Sequence, residues 1–224
     1  MTNSETEFRT KEIGERLKLI KSQIPKEVKL IVVTKTFPVS DIEILYKLGI
    51  RDFGENRDEE GSAKSESIPL DAIWHFQGRI QSKKIKSLVH WSDFIHSLDS
   101  KEHATKISEH ARNAGKSQKI FIQINLDANN RRENRSGIDP VELTSFAGDL
   151  LHLDSISIVG VMGVGPLGED PRPGFELLYE SSQELQKIYP GASFISAGMS
   201  DDYQIAIEFG ATHIRLGSSI LGSR

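Results

Sequence analysis

The sequence of 224 residues contains no cysteine, and this absence excludes disulfide bonds, thiolate catalysis and cysteine-based metal sites. It also lacks a strong excess of either charge. The formal net charge of -4 is too mildly acidic to favour nucleic acid or a membrane surface as a partner. No apolar run approaches the roughly 18 residues of a membrane-spanning helix, and the first residues are polar with mixed charge. We therefore expect a cytoplasmic protein that binds neither nucleic acid nor membranes.

Short apolar runs alternate along the chain with helical stretches, and this alternation is the main indication of the fold. The runs predicted as strands are 30–34, 51–54, 72–76, 94–97, 120–125, 156–162, 194–196 and 213–216. The helices predicted between them are 40–48, 58–65, 81–89, 101–114, 140–152, 174–188 and 201–209, and Gly49, Gly115 and Gly210 stand where helices should end. This pattern predicts parallel strands with helices outside, because right-handed crossovers place every helix there.

About eight strand–helix units in 224 residues predict an α/β fold of one closed (β/α)8 TIM barrel. An open doubly wound sheet is the alternative, but it usually carries a Gly-x-Gly-x-x-Gly turn after its first strand, which this chain lacks. Apolar residues at helical spacing from Phe8 to Ile24 predict an extra N-terminal helix that stops at Pro25. We expect a single domain, residues 1–224, in which residues 1–29 form the polar N-terminal segment and helix. Residues 129–136 and 163–174 are interpreted as long rim loops.

Lys35 follows the first predicted strand directly, and Pro38 soon afterwards prevents further ladder pairing. An amine at the end of a buried strand has two interpretations. Either its ammonium reaches solvent at the rim of the sheet, or it is held as an uncharged nucleophile of the kind that forms Schiff bases. The strand alone leaves both interpretations open.

Distinctive residues also follow the other predicted strands, at the barrel end where the chemistry of this architecture is found. They are Glu55, Asn56, His75, Gly78, Ser97, Asp99, Asn125, Met162, Ser200, Arg215, Gly217 and Ser218. The turns after the seventh and eighth strands are small and rich in Gly and Ser, so backbone N–H groups and hydroxyls are able to approach an anion. These turns predict a phosphate site at Ser200, Gly217 and Ser218, within reach of Lys35.

A lysine amine beside a phosphate site suggests pyridoxal 5'-phosphate (PLP), whose aldehyde condenses with lysine and whose phosphate anchors the ring. A cationic Arg215 near the pyridine nitrogen would disfavour protonation of that nitrogen and so restrain carbanion chemistry. Two alternatives remain open from the residues. Arg215 pairs with a carboxylate on the rim, or the barrel binds a phosphate without PLP and Lys35 is an ordinary base.

Five motifs in unbroken order resemble the family of PLP homeostasis proteins. They are residues 33–36, 53–57, 74–78, 198–202 and 214–217. The resemblance covers about residues 30–222 and implies a barrel like the N-terminal domain of alanine racemase. It further implies an internal aldimine on Lys35, phosphate contacts from Ser200, Gly217 and Ser218, Arg215 facing the ring nitrogen and Asn56 lining the pocket. The sequence departs from the family pattern at Gln77, Ile80 and Lys83 and in residues 133–137.

Members of this family are regarded as carriers or regulators of free PLP, so the resemblance implies a carrier in intracellular PLP homeostasis with no established reaction and no metal. PLP-requiring apo-enzymes are the implied recipients, and we expect a monomer or weak dimer. The alternative is a low-activity PLP-dependent amino-acid racemase or a related enzyme. A racemase needs acid/base groups on both faces of its cofactor. The tyrosines, which are Tyr46, Tyr179, Tyr189 and Tyr203, all fall in predicted helices, so the carrier is favoured.

Overall fold

The computed structural model describes residues 3–127, 136–166 and 168–222. Within these ranges, eight parallel strands close into a barrel in chain order, and helices form the connections. The strands are β1 (Lys29–Val33), β2 (Asp52–Glu55), β3 (Ile73–Phe76), β4 (Phe94–Leu98), β5 (Gln118–Gln123), β6 (Ile156–Met162), β7 (Phe194–Ser196) and β8 (His213–Leu216). The helices are α1 (Asn3–Gln23), α2 (Val39–Lys47), α3 (Asp58–Ser65), α4 (Ile85–Trp91), α5 (Lys101–Asn113), α6 (Leu143–Asp149), α7 (Arg172–Ile188), α8 (Tyr203–Glu208) and α9 (Ser218–Leu221).

The predicted TIM barrel is confirmed, and the ends of its strands differ from the prediction by at most two residues. Closure is shown by the pairing of β1 with both β2 and β8, where Ile31 is in register with Arg215. The glycines predicted to end helices do so through left-handed backbone, with φ of 85° at Gly49, 67° at Gly115 and 85° at Gly210. Of the two predicted rim loops, residues 129–135 lie outside the described residues. In the other, predicted as 163–174, residues 163–166 and 168–171 lie between β6 and α7, whereas 172–174 belong to α7.

The strands contribute side chains to two separate interiors. Alternate residues such as Val32, Phe53 and Trp74 face the helices and form the large outer core. The others fill the barrel itself, where Phe94, Phe121 and Met162 form a small apolar cluster. His75 stacks on Phe94 with ring centroids 4.7 Å apart, and His96 stacks on Phe121 at 4.2 Å. The barrel is therefore packed, as is usual for this fold, rather than open.

Besides Met162, which belongs to the apolar cluster inside the barrel, two residues that the sequence placed at the polar rim lie elsewhere. His75 is fully buried inside the barrel. Glu55 is also fully buried but on the outer face of β2, where it contacts Lys64 of α3. The prediction was wrong for both because strands that are buried on both faces carry no polar–apolar alternation from which to read side-chain direction.

The N-terminal helix is present as α1, and it packs through Ile13, Leu17 and Ile20. Phe8, which the prediction included in this stripe, is 72% exposed. Five residues at 100° each place it about 140° from Ile13 on the helix, so it faces away from the barrel. Arg9 fixes α1 in place by donating two hydrogen bonds to Asp41 of α2. No helix in the described ranges, α1 included, has both the length and the apolarity needed to cross a membrane.

Candidate functional site

A cavity of about 310 Å³ opens at the carboxyl ends of β1 and β8. Five of the six predicted site residues line it, and these are Lys35, Ser200, Arg215, Gly217 and Ser218. They come from three neighbouring strand ends, because β1 pairs with β8 and β8 pairs with β7. The sequence prediction that these residues lie close together is therefore supported by the topology of the closed barrel.

Lys35 lies two residues beyond the end of β1, where its side chain is exposed to this cavity. Among the residues that the structure describes, no carboxylate forms an ion pair with it. Its amine is thus available to a ligand. An available amine at a strand end is the arrangement that a covalent carbonyl site requires.

The backbone immediately after Lys35 adopts an unusual conformation. Thr36 has φ of 68°, the one positive value at a non-glycine residue in the described part of the chain. A β-branched residue with positive φ is strained, and such strain persists only where surrounding contacts impose it. Here the contact is a 2.6 Å hydrogen bond from the Thr36 N–H to Glu60 Oε1 of α3. The turn that sets the direction of Lys35 is therefore held by a helix on the outside of the barrel.

Lys64 of α3 connects this turn to the end of β1. Its buried ammonium donates to Thr34 O at 2.7 Å, Glu55 Oε1 at 2.7 Å and Glu60 Oε1 at 2.6 Å, so all its protons have acceptors. Burial raises the pKa of Glu55, and the hydrogen bonds from Lys64 and Thr34 oppose that rise. This network was not found from the sequence, although the Glu60–Lys64 spacing of four residues on one helix is a recognisable signal.

We expect Lys64→Met to lower the free energy of unfolding at pH 8 by about 3 kcal/mol, because it leaves the buried Glu55 without its counter-charge. The loss should be smaller at pH 5, where Glu55 in the variant takes up a proton. Urea unfolding at both pH values measures this. The matched control is Lys106→Met, which removes an exposed pair with Glu102 and should change stability by less than about 0.5 kcal/mol. Equal losses in the two variants would contradict the role assigned to Lys64.

Three hydroxyl groups converge beyond the ends of β7 and β8, and two of them belong to Ser200 and Ser218, which line the cavity. Ser200 Oγ lies 3.2 Å from Ser218 Oγ and 3.3 Å from Ser219 Oγ. Ser218 and Ser219 also begin α9, whose first N–H groups have no carbonyl one turn earlier to accept them. Gly198, with φ of 91°, makes the sharp turn that brings Ser200 to this position. The sequence analysis did not select Ser219, which was recognisable only as the next hydroxyl in the same turn.

Arg215 forms the floor of the cavity and is 5% exposed. Its Nη1 donates to Ser196 Oγ at 2.8 Å, and its Nη2 donates to Gly163 O at 2.9 Å. Burial lowers the pKa of Arg215 to about 10, so the guanidinium still carries its charge at neutral pH. Arg215 has no ion-pair partner within the described ranges. The alternative in which Arg215 pairs with a carboxylate on the rim is therefore not supported.

Asn56 does not line this cavity. It contributes to a smaller neighbouring cavity of about 120 Å³ between β2, β3 and α4. Its Oδ1 is buried and has no hydrogen-bond partner among the described residues, as is also true of Gln77 Nε2. The two strand ends approach so closely that a Cβ on Gly78 would stand 1.9 Å from Asn56 O. Asn56 thus follows β2, the strand beside β1, but belongs to a different cavity from Lys35.

A larger groove of about 840 Å³ lies on the outer surface along α4 and α5. Lysine and histidine side chains such as Lys83, Lys86 and His90 line it. None of the strand ends contributes to this groove. We assign the chemistry to the smaller cavity at the barrel mouth, where strand ends converge.

The chain was compared with known proteins. Residues 9–224 match the family model described as alanine racemase, N-terminal domain. A PLP homeostasis protein of Aquifex aeolicus is 37% identical over 201 residues, which cover 88% of this chain and 87% of that protein. A protein of the same name from Synechocystis is 37% identical over 208 residues, covering 90% of this chain and 94% of its own length.

The solved structures agree with these matches. PipY of Synechococcus elongatus with PLP bound has 35% sequence identity and a TM-score of 0.85, covering 94% of this chain and all of PipY. Alanine racemase of Corynebacterium glutamicum has a TM-score of 0.77 at 13% identity, and the match covers 94% of this chain and 60% of the racemase chain. At this identity the match shows similarity of fold alone. The sequence motifs, the closed barrel and the extent of these matches together establish that this chain belongs to the PLP homeostasis protein family, built on the alanine racemase N-terminal domain barrel.

Proposed function

We propose that this chain binds PLP covalently through Lys35 and acts in PLP homeostasis as a carrier or regulator of the cofactor. One observation carries the proposal. An amine without an ion pair, a cluster of hydroxyls and a buried guanidinium face one cavity of about 310 Å³. That volume suits a small ligand. The relatives named PLP homeostasis proteins and PipY with PLP bound support the proposal.

The residues of the cavity fit the parts of PLP. The amine of Lys35 condenses with an aldehyde to form an imine, and one water molecule leaves. The hydroxyls of Ser200, Ser218 and Ser219, with the first N–H groups of α9 and the backbone at Gly217, suit a phosphate. Arg215 is a donor without acceptor capacity, which suits the lone pair of an unprotonated ring nitrogen.

The same features favour holding the cofactor over catalysis with it. When bound, PLP supplies an aldehyde and an electron-withdrawing ring, and an unprotonated ring nitrogen makes that ring a weaker electron sink. A racemase also requires a second proton donor at the cofactor, and none of the tyrosines lines the cavity. The hydroxyl of Tyr203 donates to Gln23, and that of Tyr189 donates to Ala147 O. The proposed recipients are PLP-requiring apo-enzymes, because imine formation is reversible.

The test is the visible spectrum of the purified protein with added PLP, followed by borohydride reduction and peptide mapping. We expect an imine absorbance that reduction removes, and a single modified peptide that contains Lys35. Reduction fixes the imine as a stable secondary amine, so the modified residue is identified directly. A spectrum without imine absorbance, or a label on any lysine other than Lys35, would overturn the proposal.

A further inference from the structure

One chain of hydrogen bonds crosses the interior of the barrel from β8 to β2. Arg215 Nη1 lies 2.8 Å from Ser196 Oγ, which lies 2.9 Å from His96 Nδ1. His96 Nε2 lies 2.9 Å from His75 Nδ1, and His75 Nε2 lies 3.1 Å from Asp52 Oδ1. These contacts are direct, so no space is left for an ion or a water molecule between the groups. We call this series the barrel chain.

The two ends of the barrel chain fix its direction. Arg215 has only donors, so Ser196 Oγ must accept from it. Burial raises the pKa of Asp52, but the hydrogen bond from His75 and the nearby charge of Lys29 oppose that effect, and the net pKa is below its usual range. Asp52 is therefore a carboxylate that only accepts. Every hydrogen bond between the two ends then runs from Arg215 toward Asp52.

This direction assigns the protons of both histidines. Burial lowers the pKa of His75 and of His96, so both rings are neutral at pH 7. His75 carries its proton on Nε2 and donates it to Asp52, which leaves Nδ1 as an acceptor. His96 likewise carries its proton on Nε2, donates it to His75, and accepts the Ser196 hydroxyl proton at Nδ1. Each donor and acceptor in the barrel chain is satisfied in this arrangement.

The opposite direction is not satisfied. If His96 carried its proton on Nδ1, Ser196 Oγ would accept from both His96 and Arg215, and its own hydroxyl proton would have no acceptor among the described residues. A buried polar group without a partner is costly. The Asp52 carboxylate can only accept a hydrogen bond, so His75 must donate from Nε2. That donation fixes the direction from Arg215 toward Asp52.

The two ends lie on opposite faces of the barrel. Asp52 begins β2, and its Oδ2 is 3.5 Å from Lys29 Nζ at the start of β1, beside a cavity on the amino-terminal face. Arg215 faces the cavity at the carboxyl ends. Arg215 forms no ion pair with a carboxylate in the described ranges, although the charge of Asp202 acts to raise its pKa. Successive hydrogen bonds polarise one another, so the barrel chain connects Asp52 to the Arg215 guanidinium.

We propose that Asp52, acting through His75, His96 and Ser196, is a positioning residue that orients the Arg215 guanidinium toward the cofactor cavity. The direction of the barrel chain follows from the contacts together with an ionised Asp52 and neutral histidines, whereas the consequence for PLP rests on the proposed function. Asp52 touches neither the cavity nor a ligand in it. Asp52 fixes the neutral tautomers of His75 and His96, and the hydrogen bonds of these two residues connect it to the cavity.

The first experiment uses the full chain labelled with ¹⁵N-histidine, without PLP, at pH 7.5. Long-range ¹H–¹⁵N spectra distinguish the two neutral tautomers, and resonances are assigned by single His→Gln variants. We expect both His75 and His96 as neutral rings protonated on Nε2. A cationic ring, or a proton on Nδ1 of either residue, would overturn the proposal without any change to Asp52.

The second experiment compares Asp52→Ala with a matched control at its neighbour, Lys29→Met. In Asp52→Ala we expect a mixture of tautomers at both histidines and PLP affinity about tenfold weaker, the scale seen when the outer partner of a ligand-binding group is removed. Asp52→Asn retains an oxygen acceptor and should recover the wild-type tautomers and most of the affinity. If Asp52→Ala does not fold, Asp52→Leu, which fills the same space without an acceptor, takes its place. Lys29→Met should match the wild type in both measurements.

The outcomes separate the two proposals. If the wild type binds no PLP while the tautomers are as expected, the proposed function fails and the barrel chain stands. If the wild type binds PLP while Asp52→Ala, or Asp52→Leu in its place, alters neither the tautomers nor the affinity, the role of Asp52 is overturned and the proposed function stands.

Discussion

In Lys35→Ala, PLP affinity is expected to fall by at least about 100-fold, a loss of about 2.8 kcal/mol at about 1.4 kcal/mol per tenfold change, and the imine absorbance should disappear. The hydroxyls of Ser200, Ser218 and Ser219 and the guanidinium of Arg215 remain, so weak non-covalent binding should persist. A visible absorbance titration measures the imine, and equilibrium dialysis measures total binding.

The matched control for this prediction is Lys35→Arg. It retains a cation near the proposed phosphate site but cannot condense with an aldehyde. We expect it to lack imine absorbance and to bind PLP more tightly than Lys35→Ala, which separates the contribution of charge from that of the covalent bond. Wild-type affinity in Lys35→Ala would show that another group holds the cofactor.

A second large effect is expected on acidification. The barrel interior contains three buried histidines, and burial lowers the pKa of His75, His96 and His213, the last to about 3. In the unfolded chain each titrates near its ordinary value of about 6.5. Between that value and the lower folded value, the unfolded chain binds more protons than the folded one, so stability is lost as the pH falls.

The slope of this loss is about 1.4 kcal/mol per pH unit for each histidine that stays neutral in the folded state. With three such residues we expect a fall of up to about 4 kcal/mol per unit below pH 6.5, and unfolding within a few units, since domains are stable by only about 5–15 kcal/mol. Glu55 opposes the trend at the acid end, because its raised pKa favours the folded state as the pH falls. Urea unfolding from pH 8 to pH 5 measures the slope.

The slope also has an internal control. His213→Gln should reduce the slope by about one third and leave the barrel chain intact, because His213 packs at a tilt against Phe194 and hydrogen-bonds Thr212 outside that chain. The quantity compared is the change in the free energy of unfolding per pH unit, so a variant that is less stable at every pH can still be compared with the wild type. A free energy of unfolding that is constant from pH 7 to pH 5 would contradict the assignment of neutral interior histidines.

Much of the candidate site was predictable because its residues follow directly from chain order. Lys35, Ser200, Arg215, Gly217 and Ser218 each stand just after or within a strand whose limits are visible in the sequence. Once eight strands close into a barrel, the first, seventh and eighth ends become neighbours by topology alone. No side-chain coordinates were needed to bring these residues to one cavity.

The misplaced residues have a common cause. His75 was expected at the rim and lies inside the barrel, and Glu55 was expected there and faces α3. Strands that are apolar on both faces give their limits but not the direction of each side chain. Asn56 was expected in the cavity that contains Lys35, but it lies in the smaller cavity between β2, β3 and α4. The sequence does not reveal this difference.

The strand order, the helix ends at glycine and the position of Lys35 close to two Gly/Ser turns were all predictable from the sequence, because these depend on local patterns and on the connection rules of parallel strands. Only the tertiary structure decided which side chains enter the barrel and which face the helices. The contact of Lys64 with the turn after Lys35 and the barrel chain from Arg215 to Asp52 both depend on that choice. The physical reason is register, since a hydrogen bond between residues on different strands exists only when their side chains point to the same side at the same height.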